Sequence, residues 1–330
     1  GGDAPGMNAA VRAVVRTAAY YDLHVYGIMR GYDGLIKGDL KRLEPKDVGN
    51  IIHRGGTILK TARSKEFRTK EGRATAYENI QAFDLDGVVA IGGDGTFTGA
   101  TVFAKEYDIP FIGVPGTIDN DLYGTDYTIG YDTALNTAVE AVDKIRDTAY
   151  SHNRLFFVEV MGRNSGFIAL NTGIATGAES VLIPEHDMAM DTLLEKLKKG
   201  ARRKKLFSLV VVAEGNKQGG AMEIAQKVKE QFDHYDIKVT IIGHLQRGGN
   251  PSCLDRVLAS RLGHSAVEGL LEGRKQEMAG LINQQVVFTS FKDAISKSKE
   301  PSKTLVNMAE VLEGSLLLLI ASLKEVKTTC

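Results

Sequence analysis

Cysteine is nearly missing from this sequence: Cys253 and Cys330 are the only two among 330 residues. They stand far apart, with no Cys-x-x-Cys and no Cys/His cluster, so neither a disulfide framework nor a zinc site is indicated. Net charge is missing as well. Lysine plus arginine and aspartate plus glutamate number 41 each, which points to no nucleic-acid and no membrane surface as partner. Long apolar runs are also lacking. The longest, Leu316 to Ala321, is too short to span a bilayer, and no signal-peptide pattern is visible. A reducing, cytoplasmic setting is expected, and the length implies one large or two closely packed domains.

What the chain does have is a set of turns rich in glycine and acid, two of them placed after a short apolar run. Pro115-Gly-Thr-Ile-Asp-Asn-Asp121 follows Phe111-Ile-Gly-Val114, so Thr117, Asp119 and Asp121 are expected just beyond the carboxyl end of a buried strand, where open α/β sheets bind ligands. Upstream, Gly87-Val-Val-Ala-Ile91 leads into Gly92-Gly-Asp-Gly-Thr96. Glycines beside a helix start let backbone N–H groups approach phosphates, and a carboxylate among them suits the magnesium ion that travels with a nucleotide. A third such turn, Gly1-Gly-Asp-Ala-Pro-Gly-Met-Asn8, opens the chain. Taken singly each is weak evidence, because Asp and Asn are common turn residues.

Together they carry more. The motifs GGDAPGMN (1–8), TAR (61–63), GGDGT (92–96), PGTIDND (115–121), RDT (146–148), MGR (161–163) and GHLQRGG (243–249), in this order and spacing, resemble the ATP-dependent 6-phosphofructokinases of bacterial type. The resemblance runs from Gly1 to about Asn283. It implies an α/β fold of two Rossmann-like, three-layer domains with mainly parallel sheets and the active site between them. The ATP-binding domain would comprise 1–130 and about 247–296, and the sugar-phosphate domain 131–246 and about 297–330. It also implies a strand before Gly1, so the natural protein is expected to begin earlier.

The local pattern agrees with alternating strands and helices. Val11, Val14, Val15 and Ala18 recur at helical spacing from Met7 to Tyr21, followed by a strand His24 to Met29 and a turn Gly31 to Gly34. Helices are expected over Pro45 to His53, Arg73 to Phe83, Thr98 to Tyr107, Asp132 to Arg146, from Gly166, over Asp191 to Lys199, and from Asp255 to Glu272. Strands are expected over Leu155 to Val160, Ser180 to Ile183, Leu206 to Ala213, Lys238 to Ile242 and near Val286. The run Glu313 to Ile320 reads as a helix.

By the same resemblance the reaction is transfer of the γ-phosphoryl group of MgATP to the 1-hydroxyl of fructose 6-phosphate, the committed step of glycolysis. Asp119 would be the base, with Thr117, Asp121, Arg63 and Arg163 beside it as catalytic residues. ATP would be held by Gly2, Tyr32, Arg63, Ser64, Arg68, Gly93, Asp94, Gly95 and Thr96, with Mg2+ on Asp94. The sugar phosphate would be held by Thr117, Asp119, Asp121, Met161, Gly162, Arg163, Glu214, His244 and Arg247, and by Arg154 and Lys238 from a neighbouring subunit. Lys238 stands where the family usually has arginine, which loses the bidentate fork. Arg12, Arg16, Arg146, Glu179, Arg203 and Lys205 match an effector site for ADP or phosphoenolpyruvate, and a homotetramer is implied. Pro45 stands where allosteric relatives carry an arginine, so a weaker response is expected.

Gly95 and Gly116 bear on the donor. Pyrophosphate-dependent relatives typically carry Asp and Lys at these places, and an acid at the first would obstruct the nucleotide's α-phosphate. Glycine at both speaks for ATP. Lipid and NAD kinases share GGDGT but have no use for PGTIDND, MGR and QRGG. A non-catalytic subunit of the same fold would be expected to lack Asp94, Asp119 or Arg163, and all three are present.

Overall fold

The structure, a computed structural model, describes residues 2–149, 154–203 and 207–312. In chain order the elements begin α1 (Met7–Tyr20), β1 (Val25–Ile28), α2 (Tyr32–Lys37), β2 (Leu40–Leu43), α3 (Lys70–Ala82), β3 (Val88–Gly92), α4 (Asp94–Tyr107) and β4 (Phe111–Pro115). Next come α5 (Tyr131–Ala149), β5 (Arg154–Val160), α6 (Phe167–Thr176), β6 (Ser180–Leu182), α7 (Met190–Arg202), β7 (Phe207–Ala213), α8 (Ala221–Gln231) and β8 (Asp236–Ile241). The last are α9 (Cys253–Leu271), β9 (Glu277–Ile282), β10 (Gln285–Ser290), α10 (Phe291–Ser296) and α11 (Lys303–Leu312). Contacts divide the chain into two compact units, Gly1–Ala134 with Leu245–Lys299, and Leu135–His244 with Glu300–Cys330. Lys205, Gly1 and the run from Glu313 to Ile320 lie outside the described residues.

The first unit is built on a sheet of order β10-β9-β4-β3. β3, β4 and β9 run parallel, and β10 returns antiparallel to β9. Both faces of β4 are apolar, as a sheet covered on two sides requires. Ile112 and Val114 pack with Ala9 and Ala10 of α1 and Leu258 and Leu262 of α9. Phe111 packs on the opposite face with Phe97, Phe103 and Phe291. Between Phe97 and Phe291, whose rings stack at 4.9 Å, there is room only for a hydrogen at Gly113. Apart from this sheet, β1 and β2 form an antiparallel pair.

The second unit carries a wholly parallel sheet, β6-β7-β5-β8. Leu155, Phe157, Val210 and Val212 face α7 and α8, which contribute Leu193, Leu194, Leu197, Ile224 and Val228. α6 covers the other face, where Gly173 admits the side chain of Val181. Both units are therefore three-layer α/β/α sandwiches with mainly parallel sheets.

Several expectations need correction. Residues 45–53 form turns and no helix. The backbone bonds run only three residues apart, from the Asp47 N–H to Glu44 O and from the Gly49 N–H to Lys46 O, and Asn50 sits at φ 54°, so the run closes as successive turns and a left-handed residue ends it. The stretch after Gly31 is the helix α2, stopped by Gly38 at φ 66°, and β2 follows it. α4 starts at Asp94, four residues earlier than expected, with an acid in its positively polarised first turn.

Candidate active site

The register of β3 against β4 pairs Gly92 with Pro115, so the two acidic loops leave their strands at the same level. The Gly116 N–H donates to Gly92 O at 3.0 Å, and a Cβ placed on Gly93 would lie 3.5 Å from Thr117 Cβ. GGDGT and PGTIDND thus abut at the carboxyl ends of neighbouring parallel strands. Asp94 and Gly95 are exposed at the start of α4, Gly93 and Thr96 half-buried. Backbone N–H groups at such a helix start suit an anion. Nothing lies within 4 Å of a Cβ built on Gly95, whereas one on Gly116 would press on Met7 Cε and Ile91 Cγ2 at 3.0 and 3.1 Å. A side chain at 116 would need Met7 and Ile91 to give by a few tenths of an ångström, whereas position 95 borders open space.

Within PGTIDND, Ile118, Asp119 and Asn120 are buried, flanked by the half-buried Thr117 and Asp121. Asp119 is 1% exposed and Asn120 3%, while Asp121 is half-buried. The Asp119 N–H bonds Thr117 Oγ1 at 3.3 Å, and Thr128 Oγ1 donates to Thr117 O at 2.6 Å, which ties the returning chain to the loop's start. The other glycine turns are close by in the same unit. Arg247, at the end of a 3-10 turn Gly243–Arg247, donates to Asp3 O at 3.2 Å, and a Cβ on Gly2 would meet its Nη1 at 2.9 Å. Asn8 bonds Arg54 O, Gly55 O and the Ile58 N–H, holding the turn that leads to Thr61-Ala-Arg63.

Arg63 and Arg68 are exposed. Ser64 Oγ accepts from the Phe67 N–H at 3.2 Å and so shapes the turn between them. Tyr32 is engaged inside the unit: its hydroxyl donates to Thr96 O at 2.6 Å and its ring stacks on Phe67 at 4.0 Å. Burial raises its pKa above the ordinary tyrosine range. Its visible action is to position the first turn of α4.

In the second unit, β5 and β7 end side by side at Val160 and Ala213. Met161, half-buried, follows Val160, and the turn continues through Gly162 at φ 146° and Arg163 at φ 52°. A left-handed arginine is uncommon and is held here from the neighbouring strand. Glu214 Oε1 accepts from the N–H groups of Gly162 and Arg163 at 3.1 and 2.7 Å. Glu214 therefore braces the MGR turn and leaves Arg163 exposed. Arg154 and Lys238 both approach Asp236, at 3.6 and 3.0 Å, on the neighbouring strands β5 and β8. His244 follows β8 and is exposed.

The residues matched to an effector site divide between the units. Arg12 and Arg16 share one side of α1, with Arg16 exposed. In the second unit Arg146 donates to Thr176 O and lies 5.6 Å from the Phe207 ring, Glu179 Oε2 accepts from the Leu209 N–H at 2.6 Å, and Arg203 is exposed after α7.

Two residues that the motifs did not single out shape the site. Asp255 is fully buried and accepts from the N–H groups of Gly130 and Thr133 at 2.8 Å each and from Thr133 Oγ1 at 2.5 Å. It thereby caps the start of α5 from α9. Asp255 was expected only as the start of a helix, which begins at Cys253 with Ser252 Oγ accepting from the Asp255 N–H at 3.2 Å. Its bond to α5 was not legible. The other is Lys299, whose ammonium donates to Asn120 Oδ1 within PGTIDND at 2.9 Å.

Magnesium asks little of the protein. It keeps several waters and takes one or two carboxylates plus substrate phosphates. Among the described residues no group of three or more His, Cys, Asp and Glu could hold a metal ion, and the exposed carboxylate of Asp94 at a phosphate-type turn fits the smaller donor set of magnesium. Among the described residues, no helix is long and apolar enough to cross a membrane.

Comparison with known proteins agrees with this layout. The chain is 56% identical over 314 residues to an ATP-dependent 6-phosphofructokinase of Cytophaga hutchinsonii, covering 95% of this chain and 96% of that one. It superposes on the crystal structure of Pichia pastoris phosphofructokinase in the T-state with a TM-score of 0.85 at 38% identity, over 95% of this chain but only 36% of the yeast chain's length. A pyrophosphate-dependent phosphofructokinase of Marinobacter aquaeolei gives a TM-score of 0.80 at 27% identity, over 92% of this chain and 83% of that one. Residues 1–270 match the family profile Phosphofructokinase. Paired acidic loops at adjacent strand ends, near-full-length identity and a matching family profile converge, and the chain belongs to the phosphofructokinase family.

Proposed function

We propose that this protein is an ATP-dependent 6-phosphofructokinase that phosphorylates the 1-hydroxyl of fructose 6-phosphate, releasing fructose 1,6-bisphosphate and ADP. The observation that carries this reading is the abutment of the GGDGT and PGTIDND loops, which brings a phosphate-type helix start beside Asp119 and Asp121. Identity of 56% to a relative of that name supports the choice of sugar and donor.

Phosphoryl transfer needs alignment and charge neutralisation more than covalent help from the protein. Asp119 accepts the proton of the sugar's 1-hydroxyl as the oxygen attacks the γ-phosphorus. Asp121 and Thr117 orient that hydroxyl. Arg163, presented by the Glu214-braced turn, and Arg63 offset the negative charge of the moving group, as planar guanidinium forks do. Gly2, Gly93 and Gly95 offer backbone N–H groups to the nucleotide phosphates, with Thr96, Arg68 and Ser64 alongside. Asp94 would hold Mg2+, which when bound neutralises charge on the β- and γ-phosphates. Met161, Gly162, His244 and Arg247 hold the sugar phosphate, and Arg154 and Lys238 reach it from a neighbouring subunit of a homotetramer. The unit of Gly1–Ala134 with Leu245–Lys299 is then the nucleotide-binding one, and the other carries most of the sugar phosphate's contacts.

Donor choice rests on Gly95, where an acidic side chain would enter space that is open here. The test is to offer fructose 6-phosphate and Mg2+ with ATP in one reaction and pyrophosphate in another. Product with ATP alone is expected. Product with pyrophosphate alone would overturn the donor, and no product with either would overturn the enzyme reading.

A further inference from the structure

Asn120 separates the two acids of the PGTIDND loop. It is 3% exposed, at φ 53°, and its amide is bonded on both sides. Nδ2 donates to Asp126 O at 3.2 Å, and Oδ1 accepts from the Thr128 N–H at 3.0 Å and from Lys299 Nζ at 2.9 Å. Lys299 Nζ also donates to Asp126 O at 3.1 Å. One ammonium thus joins both ends of the 120–126 excursion. Asp126 is itself anchored, its N–H on Leu281 O at 2.7 Å and its Oδ2 accepting from the Asn283 N–H at 2.9 Å. The loop is sewn to the β9–β10 hairpin on one side and held by Lys299 on the other.

We propose that Lys299 is a positioning residue for phosphoryl transfer: its clamp on Asn120 and the Asp126 carbonyl fixes the backbone between Asp119 and Asp121 and so sets the direction of both carboxylates. This rests on the reading of Asp119 and Asp121 given above. Asn120 cannot rotate without breaking its amide bonds, and because it is flanked by the two acids, any turn of its backbone turns them too. A misplacement of about 1 Å at such a group can cost roughly a hundredfold in rate.

The clamp is also sensitive to pH. Burial pushes the Lys299 ammonium down to about 8, against the opposing pull of the Asp126 and Asp121 carboxylates. On its own segment, Lys297 pairs with Asp293 at 3.3 Å, and Glu300 adjoins it in sequence. As pH rises through 8 the clamp loses its charge and turnover should fall. Folding stability should move the other way. Between about 8 and 10.5 the unfolded chain holds the proton and the native protein does not, so this group's contribution to stability rises with pH.

Three variants and two readouts test this. In the full chain, Lys299→Met should lower kcat about tenfold to a hundredfold with the KM for ATP unchanged, because the nucleotide turns lie elsewhere in the unit. Lys299→Arg should keep kcat and remove the alkaline limb near pH 8, since guanidinium does not deprotonate there. Hydrogen exchange at the amides of Asp119 and Thr128 should quicken in Lys299→Met and in Asn120→Ala, a readout that does not depend on turnover. Faster exchange in a protein inactive with every donor would leave the clamp standing and sink the enzyme reading. Unchanged exchange in Lys299→Met, or an alkaline limb that survives in Lys299→Arg, would overturn the clamp, and the arginine variant decides the matter if the methionine variant does not fold.

Discussion

Two single residues test the chemistry. Asp119→Ser removes the proposed base at a site that is almost fully buried, and kcat should fall by about 10²- to 10⁴-fold while fructose 6-phosphate still binds by calorimetry. Unchanged turnover would remove Asp119 as base. Gly95→Asp should fold normally, since a side chain there meets nothing within 4 Å, yet the KM for ATP should rise steeply because a second charge faces the phosphates. An unaltered KM would cancel the donor argument. At this scale the motif residues themselves were readable, because backbone-bound phosphate turns and strand-end acids have short signatures. Their supports were not. Asp255, Lys299 and the brace from Glu214 act on residues far away in sequence, and nothing in the order of residues says which carboxylate will cap which helix.

Among elements, the MGR turn depends on the chain beside it. A Cβ at Gly215 would collide with the carbonyl of Arg163, so Gly215→Ala must push that turn aside. The expected outcome is a stability loss of about 1–3 kcal/mol in urea titration, with kcat falling more than the KM for ATP. The cap on α5 gives a pH signature. Burial lifts the Asp255 carboxyl to about 6 despite its three donors, which pull the other way. Its folded value lies above the unfolded one of 3.8, so its stabilisation is complete below 3.8 and is lost as pH rises through 6. Wild type should therefore gain Tm over Asp255→Asn on going from pH 7 to 5. A constant difference would sink the assignment. The elements that carry the site were legible, because β3, β4, β5 and β7 are short apolar runs ending in turn residues. β2 and β9 were not, since Leu40-Lys-Arg-Leu43 and Glu277-Met-Ala-Gly280 lack a clear alternation and gain their strand form from partners. α8 is legible only in the helical spacing of Ala221, Ile224, Ala225 and Val228, with no motif beside it.

For the whole molecule, regulation is the measurable question. Pro45 lies in a run of turns with Glu44 and Asp47 and supplies no guanidinium, so ADP should activate only weakly at subsaturating fructose 6-phosphate. A large activation would refute that weakening. The division into units was expected from resemblance more than from composition, since the chain crosses at Ala134, Leu245 and Glu300 and only the last two lie near Gly-, Pro- or Ser-rich stretches. That interleaving has a consequence for synthesis. β4 pairs with β9 through Ile112 and Glu277, so this inner strand of the first sheet leaves the ribosome about ten to thirty seconds before β9 exists. Leu135 to His244, by contrast, emerges as one continuous stretch and can close its own parallel sheet first. The nascent protein must therefore carry an open, apolar β4 edge while the later unit folds, and chaperone dependence during translation should concentrate on the portion that emerges earliest.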